Sequence, residues 1–312
     1  MDVVFFGSGA FGIPTLERLA QEHRITGIVT QPDKPAGRKK ILTPTPIGQW
    51  AAEHLPAVPI AKPERINTDE ARDEIRGWNA DAWVIIAYGQ YLGQKLLADR
   101  FAINLHGSLL PRWRGAAPIN AAMVAGDQIT GNSVITIAKE MDAGFILGQS
   151  ERAIEPDQTM GELHDLLAGD GPDLVMKVLE DHAHDRVDYR EQDESLVTVA
   201  GKMSKGDGWV DFTDEARMVS AKINGLSPWP GVTVMHRGEP LKINRSQPAG
   251  GESKEHPGTI VDADAGLVVC GGGTLLQLLD VQPPGKRSME WKAYANGRKI
   301  ESGELLVGKS EG

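Results

Sequence analysis

The sequence near the N-terminus reads VVFFGSGAFGIPTLERLA (residues 3–20), and this stretch decides the class of fold. Its first four residues are apolar, as expected for a strand that is buried on both faces of a parallel sheet. A glycine-rich turn follows at residues 7–12, and the apolar residues after it recur at the spacing of a helix. The order strand, tight turn, helix predicts an α/β domain.

The same alternation continues through the first part of the chain. Further apolar runs predict strands at residues 25–30, 82–87, 101–106 and 133–137, and a long helix is expected around residues 158–183. Strands that alternate with helices are typical of a parallel sheet. We therefore expect an α/β domain over residues 1–188.

The composition and periodicity of the sequence change after residue 188. Residues 189–206 are polar, without an amphipathic period, and we interpret them as a linker. Beyond them, short β-type runs are separated by glycine, proline and aspartate. This pattern predicts a small, mainly β second domain over residues 207–312, with a barrel as the expected form. With 312 residues, the chain is long enough for two domains.

The net charge of −10 argues by itself against binding of nucleic acid, which needs basic surface. Residues 31–46 are an exception, because they hold four basic residues and one acidic residue among four prolines. Such a proline-rich run predicts a projecting loop rather than a helix, and loops longer than about 12–15 residues are usually functional or disordered. The basic residues of this segment are Lys34, Arg38, Lys39 and Lys40.

Cysteine usage and hydropathy indicate the compartment. The one cysteine, Cys270, has no partner for an internal disulfide, which suits a reducing compartment. The N-terminus lacks a basic region followed by a long apolar stretch, so no signal peptide is expected. No apolar run reaches the roughly 20 residues of a membrane span. We expect a cytoplasmic monomer that makes no contact with a membrane.

The turn at residues 7–12 has the form G-x-G-x-x-G between a strand and a helix, which is the context of a dinucleotide-binding fingerprint. A nucleotide-cofactor oxidoreductase is therefore one hypothesis. The fingerprint also expects an acidic residue at the end of the second strand, where this chain has Thr30, Gln31 and Pro32. A tight turn that merely tolerates glycine is the simpler interpretation.

Asn104 and His106 are two positions apart on a predicted strand, so their side chains point to the same face. They lie at its carboxyl end, where ligand crevices form in open α/β sheets. A lone histidine is more often a partly buried residue with satisfied hydrogen bonds. Spacing alone leaves the structural and the functional interpretation open.

Residues 104–118, NLHGSLLPRWRGAAP, resemble the signature of the formyltetrahydrofolate-dependent formyltransferases. A second part of that signature is similar to residues 141–144, MDAG, which place Asp142 36 positions after His106. The resemblance implies a Rossmann-like formyltransferase domain, a linker and a small OB-like β-barrel. It also implies 10-formyltetrahydrofolate as the cosubstrate and no metal.

Three further segments resemble the members of this family that formylate the α-amino group of methionyl initiator tRNA for translation initiation. They are residues 31–40 (QPDKPAGRKK), residues 225–231 (GLSPWPG), and residues 282–289 (QPPGKRSM) with 296–298 (NGR). The resemblance implies that Lys34, Arg38, Lys39 and Lys40 bind tRNA. Lys39 stands where the family often has glycine, and the turn at residues 7–12 has more glycines than is usual.

The resemblance also assigns roles to the site residues. Asn104 and a protonated His106 would stabilise the charge that develops on the formyl oxygen, and Asp142 would orient the histidine. The folate site would be lined by Ser108, Leu109, Leu110 and Pro111, with Tyr88 and Gly89 as the opposite wall. Arg112 and Arg114 are candidates for the folate tail or a tRNA phosphate.

Three alternatives stay open at this point: a sugar-nucleotide N-formyltransferase, the oxidoreductase, and a folate- or RNA-binding protein without catalysis. The basic segment at residues 31–40 favours the tRNA acceptor over a sugar nucleotide, because a small substrate does not require such a segment.

Overall fold

The computed structural model describes residues 1–37 and 39–308, which form two compact units. Unit 1 comprises Met1–Arg114, Gly131–Arg152 and His164–Val199. Unit 2 comprises Gly115–Thr130, Ala153–Leu163 and the described residues from Ala200 onward. The two units therefore interleave along the chain. The predicted boundaries at residues 188 and 206 stay a prediction.

The helices and strands follow one another in this order. The first half has β1 (Asp2–Gly7), α1 (Ile13–Glu22), β2 (Arg24–Val29), β3 (Lys34–Ala36), β4 (Ile41–Thr43), α2 (Pro46–His54), β5 (Ile60–Ala61), α3 (Asp69–Arg76), β6 (Ala82–Ile86), α4 (Gln94–Leu97), β7 (Phe101–His106), β8 (Arg114–Gly115), α5 (Pro118–Val124), β9 (Ile129–Thr136) and β10 (Ile146–Ala153). The second half has α6 (Met160–Ala183), β11 (Val199–Ala200), α7 (Ala216–Gly225), β12 (Val232–His236), β13 (Glu239–Glu252), β14 (Ile260–Asp262), β15 (Leu267–Val269), β16 (Thr274–Gln282), β17 (Met289–Glu290), α8 (Trp291–Arg298) and β18 (Leu306–Val307).

A seven-stranded sheet forms the centre of unit 1, with the strand order β10-β9-β7-β6-β1-β2-β5. The strands from β7 to β5 pair in parallel, whereas β9 pairs antiparallel with β7. The apolar run at residues 3–6 lies in the central strand β1, and all four side chains are fully buried. The predicted Rossmann-like α/β domain is confirmed.

The glycines of the first turn have a packing role in this fold. A Cβ atom on Gly7 would lie 2.6 Å from the ring of Phe5 and 3.0 Å from the carbonyl oxygen of Ile86 in β6. A Cβ atom on Gly12 would lie 3.0 Å from the same ring. A side chain at Gly7 would therefore require a neighbour to move, and one at Gly12 would be tightly packed. At Gly9 a Cβ atom would lie 3.6 Å from Cβ of Ala87, which is an ordinary contact. Close packing thus accounts for the first and the last glycine of the turn.

Unit 2 contains a second seven-stranded sheet, in the order β14-β15-β16-β13-β12-β18 with β17 paired to β16. The six strand pairings that link these seven strands are antiparallel. It curls into a half-barrel, and its core includes Ile223 of α7 and Trp291 of α8. The predicted OB-like second domain is confirmed in this form.

Helix α5 belongs to unit 2, although it lies between two strands of the first sheet in the sequence. It packs against α7, and the side-chain amide of Asn120 donates a hydrogen bond to the carbonyl oxygen of Gly225 at 2.8 Å. Ile119, Ala122 and Met123 of α5 are buried. Within residues 1–37 and 39–308, no helix combines the length and hydropathy needed to cross a membrane.

Candidate active site

Strand β7 carries Asn104 and His106 at its carboxyl end, as the sequence predicted. Asn104 lies opposite Ile85 of β6, and His106 lies opposite Ser133 of β9. Asn104 is half-buried, whereas His106 is 6% exposed. Both side chains therefore emerge on one face of an interior strand, at the sheet edge where α/β folds bind ligands.

The two ring nitrogens of His106 have different neighbours. Nε2 lies 2.8 Å from the carbonyl oxygen of Trp113. Because a carbonyl oxygen only accepts, Nε2 carries a proton. Nδ1 lies 3.6 Å from Oδ2 of Asp142, which is an ion-pair distance and too long for a hydrogen bond. Nδ1 is therefore the nitrogen that can gain or lose a proton in this arrangement.

Asp142 is positioned by a tight turn. Its φ of +53° is left-handed, a conformation that aspartate tolerates better than most residues. Gly144 lies two residues after Asp142. A Cβ atom on Gly144 would lie 1.7 Å from the carbonyl oxygen of Thr136. The side-chain amide of Gln192 donates to the carbonyl oxygens of Asp142 at 2.7 Å and of Gly144 at 2.8 Å. These contacts hold the carboxylate next to His106.

Gln192 is a site residue that sequence reasoning missed. It lies 50 positions after Asp142, in the segment interpreted as a linker, and no motif surrounds it. Its Oε1 atom also accepts a hydrogen bond from Nε of Arg114 at 2.9 Å. One side chain thus connects the turn of Asp142 to the loop after His106.

The loop after β7 is fixed largely by hydrogen bonds. The hydroxyl of Ser108 donates to the carbonyl oxygen of Arg112, and the hydroxyl of Ser133 donates to the carbonyl oxygen of Ser108, both at 2.7 Å. The N–H group of Leu110 donates to the Ser133 hydroxyl at 3.0 Å. Ser133 therefore sets the shape of this loop, a role that no motif around Ser133 indicates.

The predicted folate-lining residues of this loop differ in exposure. Ser108 and Leu110 are buried, and Leu110 packs with Ile135 and Ile146. Leu109 and Pro111 are half-buried. Among residues 108–111, Leu109 and Pro111 are therefore the two whose side chains have accessible surface that a ligand could contact.

Tyr88 and Gly89, the predicted opposite wall, follow β6. The ring of Tyr88 packs edge-on against Phe6 with 5.8 Å between centroids, and the side chain is buried in the core. Burial raises the pKa of this phenol above its usual range, so it stays neutral. Gly89 is exposed with a φ of +87°. This segment presents backbone rather than the tyrosine ring.

Comparison with known proteins agrees with this geometry. Residues 1–179 match the formyl transferase family, and residues 202–299 match the formyl transferase C-terminal domain. The chain belongs to the formyl transferase family. The family predicted from residues 104–118 and 141–144 is confirmed, and the oxidoreductase hypothesis is set aside.

Formyl transferases that are similar over the full length include two bacterial methionyl-tRNA formyltransferases. The protein of Methylococcus capsulatus is 38% identical over 309 residues, which cover 98% of this chain and 99% of that protein. The protein of Moorella thermoacetica is 36% identical over 310 residues, with 98% and 99% covered.

Solved structures of other proteins share the fold at low sequence identity. WlaRD, a sugar 3N-formyl transferase, is 13% identical with a TM-score of 0.67, covering 92% of this chain and 99% of that chain. HypX from Aquifex aeolicus, solved in complex with tetrahydrofolic acid, is 13% identical with a TM-score of 0.61. The match covers 94% of this chain and 46% of that longer protein. At this identity the likeness concerns the fold alone.

The basic segment of this formyl transferase forms a β-hairpin where the sequence predicted a loop. Strands β3 and β4 pair antiparallel, with Lys34 opposite Thr43. Lys34, Lys39 and Lys40 are exposed, and Arg38 lies outside the described residues.

The two arginines of the loop after β7 have different roles in this formyl transferase. The guanidinium of Arg114 pairs with Glu194 at 2.8 Å, and its side chain is 11% exposed. Arg112 is exposed, with its guanidinium 4.9 Å from the centroid of the Trp113 ring. Arg114 therefore anchors the loop. In the described part of the chain, no group of three or more His, Cys, Asp or Glu residues could hold a metal ion.

Proposed function

We propose that this formyl transferase moves the formyl group of 10-formyltetrahydrofolate to the α-amino group of methionine on initiator tRNA, for translation initiation. The observation that carries the proposal is the approach of His106 and Asp142 at the carboxyl end of β7, which also bears Asn104. Relatives at 38% and 36% identity named methionyl-tRNA formyltransferases support the acceptor. The tetrahydrofolic acid bound to HypX supports the donor.

The reaction forms a bond between the amine nitrogen and the formyl carbon and breaks the bond from that carbon to N10 of the folate. An ordinary α-amino group titrates at about 7.7–8.0, so a neutral nucleophile is available near pH 7. Charge develops on the formyl oxygen as the amine attacks. The side-chain amide of Asn104 donates to that oxygen, and loss of such a donor typically costs about 10²–10³ in rate.

Proton movement is the task of the pair formed by His106 and Asp142. The amine loses one proton on attack, and N10 gains one as it leaves. Nδ1 of His106 takes up a proton while Nε2 keeps its own, which gives an imidazolium beside the Asp142 carboxylate. That cation stabilises the oxyanion, and it returns the proton as the tetrahedral intermediate collapses.

The folate lies between the loop after β7 and the segment after β6 in this proposal. Leu109 and Pro111 offer apolar surface to the pterin, and Gly89 offers accessible backbone. Ser108 and Leu110 support the loop, because their polar groups already bond to Arg112 and Ser133.

The hairpin β3–β4 is the tRNA contact in this proposal. Its exposed lysines, Lys34, Lys39 and Lys40, would meet phosphate, together with Arg38. The protein would act as a monomer in the cytoplasm, where charged initiator tRNA is consumed.

Formyl transfer from 10-formyltetrahydrofolate to charged initiator tRNA tests the proposal. We expect transfer by the parent protein and a loss of at least about 10² in kcat for Asn104→Ala and for His106→Ala, with unchanged folding by circular dichroism. Asn244→Ala is the matched control, because the hydrogen bond from that amide to Ser288 lies within unit 2. Near-normal turnover by His106→Ala would disprove the role of the pair. Transfer to an amino sugar nucleotide but not to tRNA would disprove the acceptor.

A further inference from the structure

Trp113 has a backbone conformation that is unusual for a bulky residue. Its φ is +65°, in the left-handed region, where the Cβ atom of an L-residue crowds its own backbone. The carbonyl group of Trp113 accepts a hydrogen bond from Nε2 of His106 at 2.8 Å. An unfavourable backbone conformation persists only where neighbouring contacts hold it. The contacts that hold Trp113 therefore also decide where its carbonyl group points.

The two peptide groups on either side of Trp113 are each held at both ends. The group that precedes it accepts from the hydroxyl of Ser108 at 2.7 Å and donates, through the N–H of Trp113, to Oγ1 of Thr198 at 2.9 Å. The group that follows it accepts from His106 and donates, through the N–H of Arg114, to the carbonyl oxygen of Thr198 at 2.9 Å. Because a peptide group is planar, fixing both groups fixes φ and ψ of Trp113.

Thr198 supplies two of these four contacts, although it lies in the segment that we interpreted as a linker from the sequence. It is half-buried and directly precedes β11, which pairs with β8. The two strands approach closely, because a Cβ atom on Gly115 would lie 2.4 Å from the carbonyl oxygen of Ala200. The N–H group of Ala116 donates to that oxygen at 2.9 Å. The backbone beside Thr198 is thus fixed against the loop after β7.

The contacts form a continuous chain from Thr198 to the imidazole. Nε2 of His106 donates to the peptide group between Trp113 and Arg114, and that group donates to the carbonyl oxygen of Thr198. Hydrogen bonds in such a chain polarise and strengthen one another. When Nδ1 takes up a proton, the ring donates more strongly through Nε2, so this chain helps to hold the imidazolium in place.

We propose that Thr198 is a positioning residue for formyl transfer, which acts through the backbone of Trp113 to fix the tautomer and the orientation of His106. The inference rests on the proposed function. The hydroxyl oxygen of Thr198 holds the left-handed conformation of Trp113, and the Trp113 carbonyl group in turn keeps the proton on Nε2. Nδ1 then faces Asp142 at 3.6 Å and is the nitrogen that exchanges a proton.

Thr198→Val tests the inference, because it removes the hydroxyl and keeps the shape of the side chain. We expect kcat to fall about 10- to 100-fold, since a shift of about 1 Å in a catalytic group can cost about 10²-fold in rate. The KM for each substrate should stay within about threefold, because Ser133 still holds the part of the loop that includes Leu109 and Pro111. Thr198→Ser keeps the oxygen and should keep most of the parent kcat.

Nitrogen-15 NMR of the histidine rings measures the tautomer of His106 without substrate. The signals of His106 are those that are missing from the His106→Gln protein. Above about pH 8, where an ordinary histidine is neutral, the parent protein should carry the proton on Nε2. Thr198→Val should show a mixture of the two tautomers, and Thr198→Ser should resemble the parent protein. A role of Thr198 in stability alone would leave the tautomer unchanged.

Thr274→Val is the matched control, because Oγ1 of Thr274 accepts from the N–H group of Ala216 within unit 2, also at 2.9 Å. It should lose stability in urea titrations but keep kcat and the tautomer of His106. A kcat of Thr198→Val within about twofold of the parent value would overturn the inference, and so would a lower kcat without a change of tautomer. Equal impairment of Thr198→Ser and Thr198→Val would overturn it as well, because the hydroxyl oxygen would not be the cause.

The inference can also be decided when the parent protein transfers no formyl group to tRNA. That result would disprove the proposed function, whereas the NMR comparison needs no substrate. A change of tautomer in Thr198→Val that is absent from Thr198→Ser and from Thr274→Val would support the control of His106 by Thr198. The same tautomer in all four proteins would overturn it.

Discussion

Asp142 lies in a left-handed turn whose carbonyl groups accept hydrogen bonds from the side-chain amide of Gln192 at 2.7 Å and 2.8 Å. Each bond contributes about 0.5–1.5 kcal/mol, and a shift of about 1 Å in a catalytic group can cost about 10²-fold in rate. We therefore predict that Gln192→Ala lowers kcat by about 10- to 100-fold and leaves KM within about twofold.

Gln192→Glu separates the two contacts of this side chain. A carboxylate still accepts from Arg114 but does not donate to the turn of Asp142. It should therefore lose as much kcat as Gln192→Ala does. Full activity of Gln192→Glu would show that Gln192 matters only for Arg114. Gln247→Ala is the control, because that amide donates to Gln277 at 2.7 Å in unit 2.

Glu304 is the residue of unit 2 whose charge should matter most for stability. Hydrogen bonds from Arg237, from the N–H group of Glu301 and from His236 outweigh burial and lower the pKa of Glu304 from 4.5 to about 2. A lowered pKa stabilises the folded state above the unfolded value of 4.5, and this stability is lost as the pH falls towards 2.

Glu304→Gln tests this assignment. It should lower the free energy of unfolding by about 1.5–3 kcal/mol at pH 7, the contribution of hydrogen bonds to a charged group. The difference from the parent protein should shrink between pH 4.5 and pH 2 in urea titrations. Glu239→Gln is the control, because its pair with Arg298 is exposed and should contribute less than about 1 kcal/mol. A difference that is independent of pH would contradict the assignment.

At the scale of elements, the hairpin β3–β4 shows what the sequence could and could not predict. The prolines and the charges indicated a projecting basic segment, but not that Lys34–Ala36 would pair with Ile41–Thr43. Both strands are short, fully exposed and lack the apolar alternation by which strands are recognised. Gly37, the residue after β3, has a φ of +67°, which glycine adopts without steric cost.

The proposed role of the hairpin predicts how the binding of tRNA depends on salt concentration. Each phosphate contact adds about 0.7–0.9 to the slope of log K against log salt concentration. Lys39→Ala/Lys40→Ala should therefore reduce the slope for initiator tRNA by about 1.5, measured by filter binding over a range of salt concentrations. Lys39→Arg/Lys40→Arg keeps the charge and should keep the slope. An unchanged slope in the alanine protein would remove the hairpin from the tRNA interface.

The residues that support the candidate active site also show the limit of prediction from sequence. Asn104, His106 and Asp142 could be identified because they lie in continuous motifs. Ser133 and Gln192 could not, because their function depends on contacts with chain segments 25 and 50 positions away. Local sequence carries no record of such contacts, so it indicated the residues that we propose as catalytic but not the residues that support them.

At the scale of the whole molecule, the sequence did not indicate that the two units interleave along the chain. Residues 115–130 continue the alternation of the first domain in sequence, yet they belong to unit 2. The reason is α5, whose buried residues Ile119, Ala122 and Met123 pack on the side of α7. The position of this helix between two strands of the first sheet did not show which partner it would meet.

Because the two units interleave, residues 1–188 as an isolated chain would lack part of unit 2. That chain would keep α5 without α7, and Arg245, the partner of Glu162, would be missing. We predict that the isolated residues 1–188 bind a hydrophobic dye and unfold at a lower temperature than the first unit of the full protein. A cooperative transition at the same temperature, without dye binding, would show that α5 does not need α7.

The contact of α5 with α7 can also be tested within the intact chain. A Cβ atom on Gly225 at the end of α7 would lie 2.9 Å from the backbone nitrogen of Val124 and 2.9 Å from its side chain. Because such overpacking typically costs about 1–3 kcal/mol, Gly225→Ala should lower the free energy of unfolding by that amount. Gly169→Ala in α6 meets nothing within 4 Å and should raise stability slightly, since alanine favours helix. If Gly225→Ala and Gly169→Ala changed stability alike in denaturant titrations, the α5–α7 contact would contribute nothing to holding residues 115–130 in unit 2.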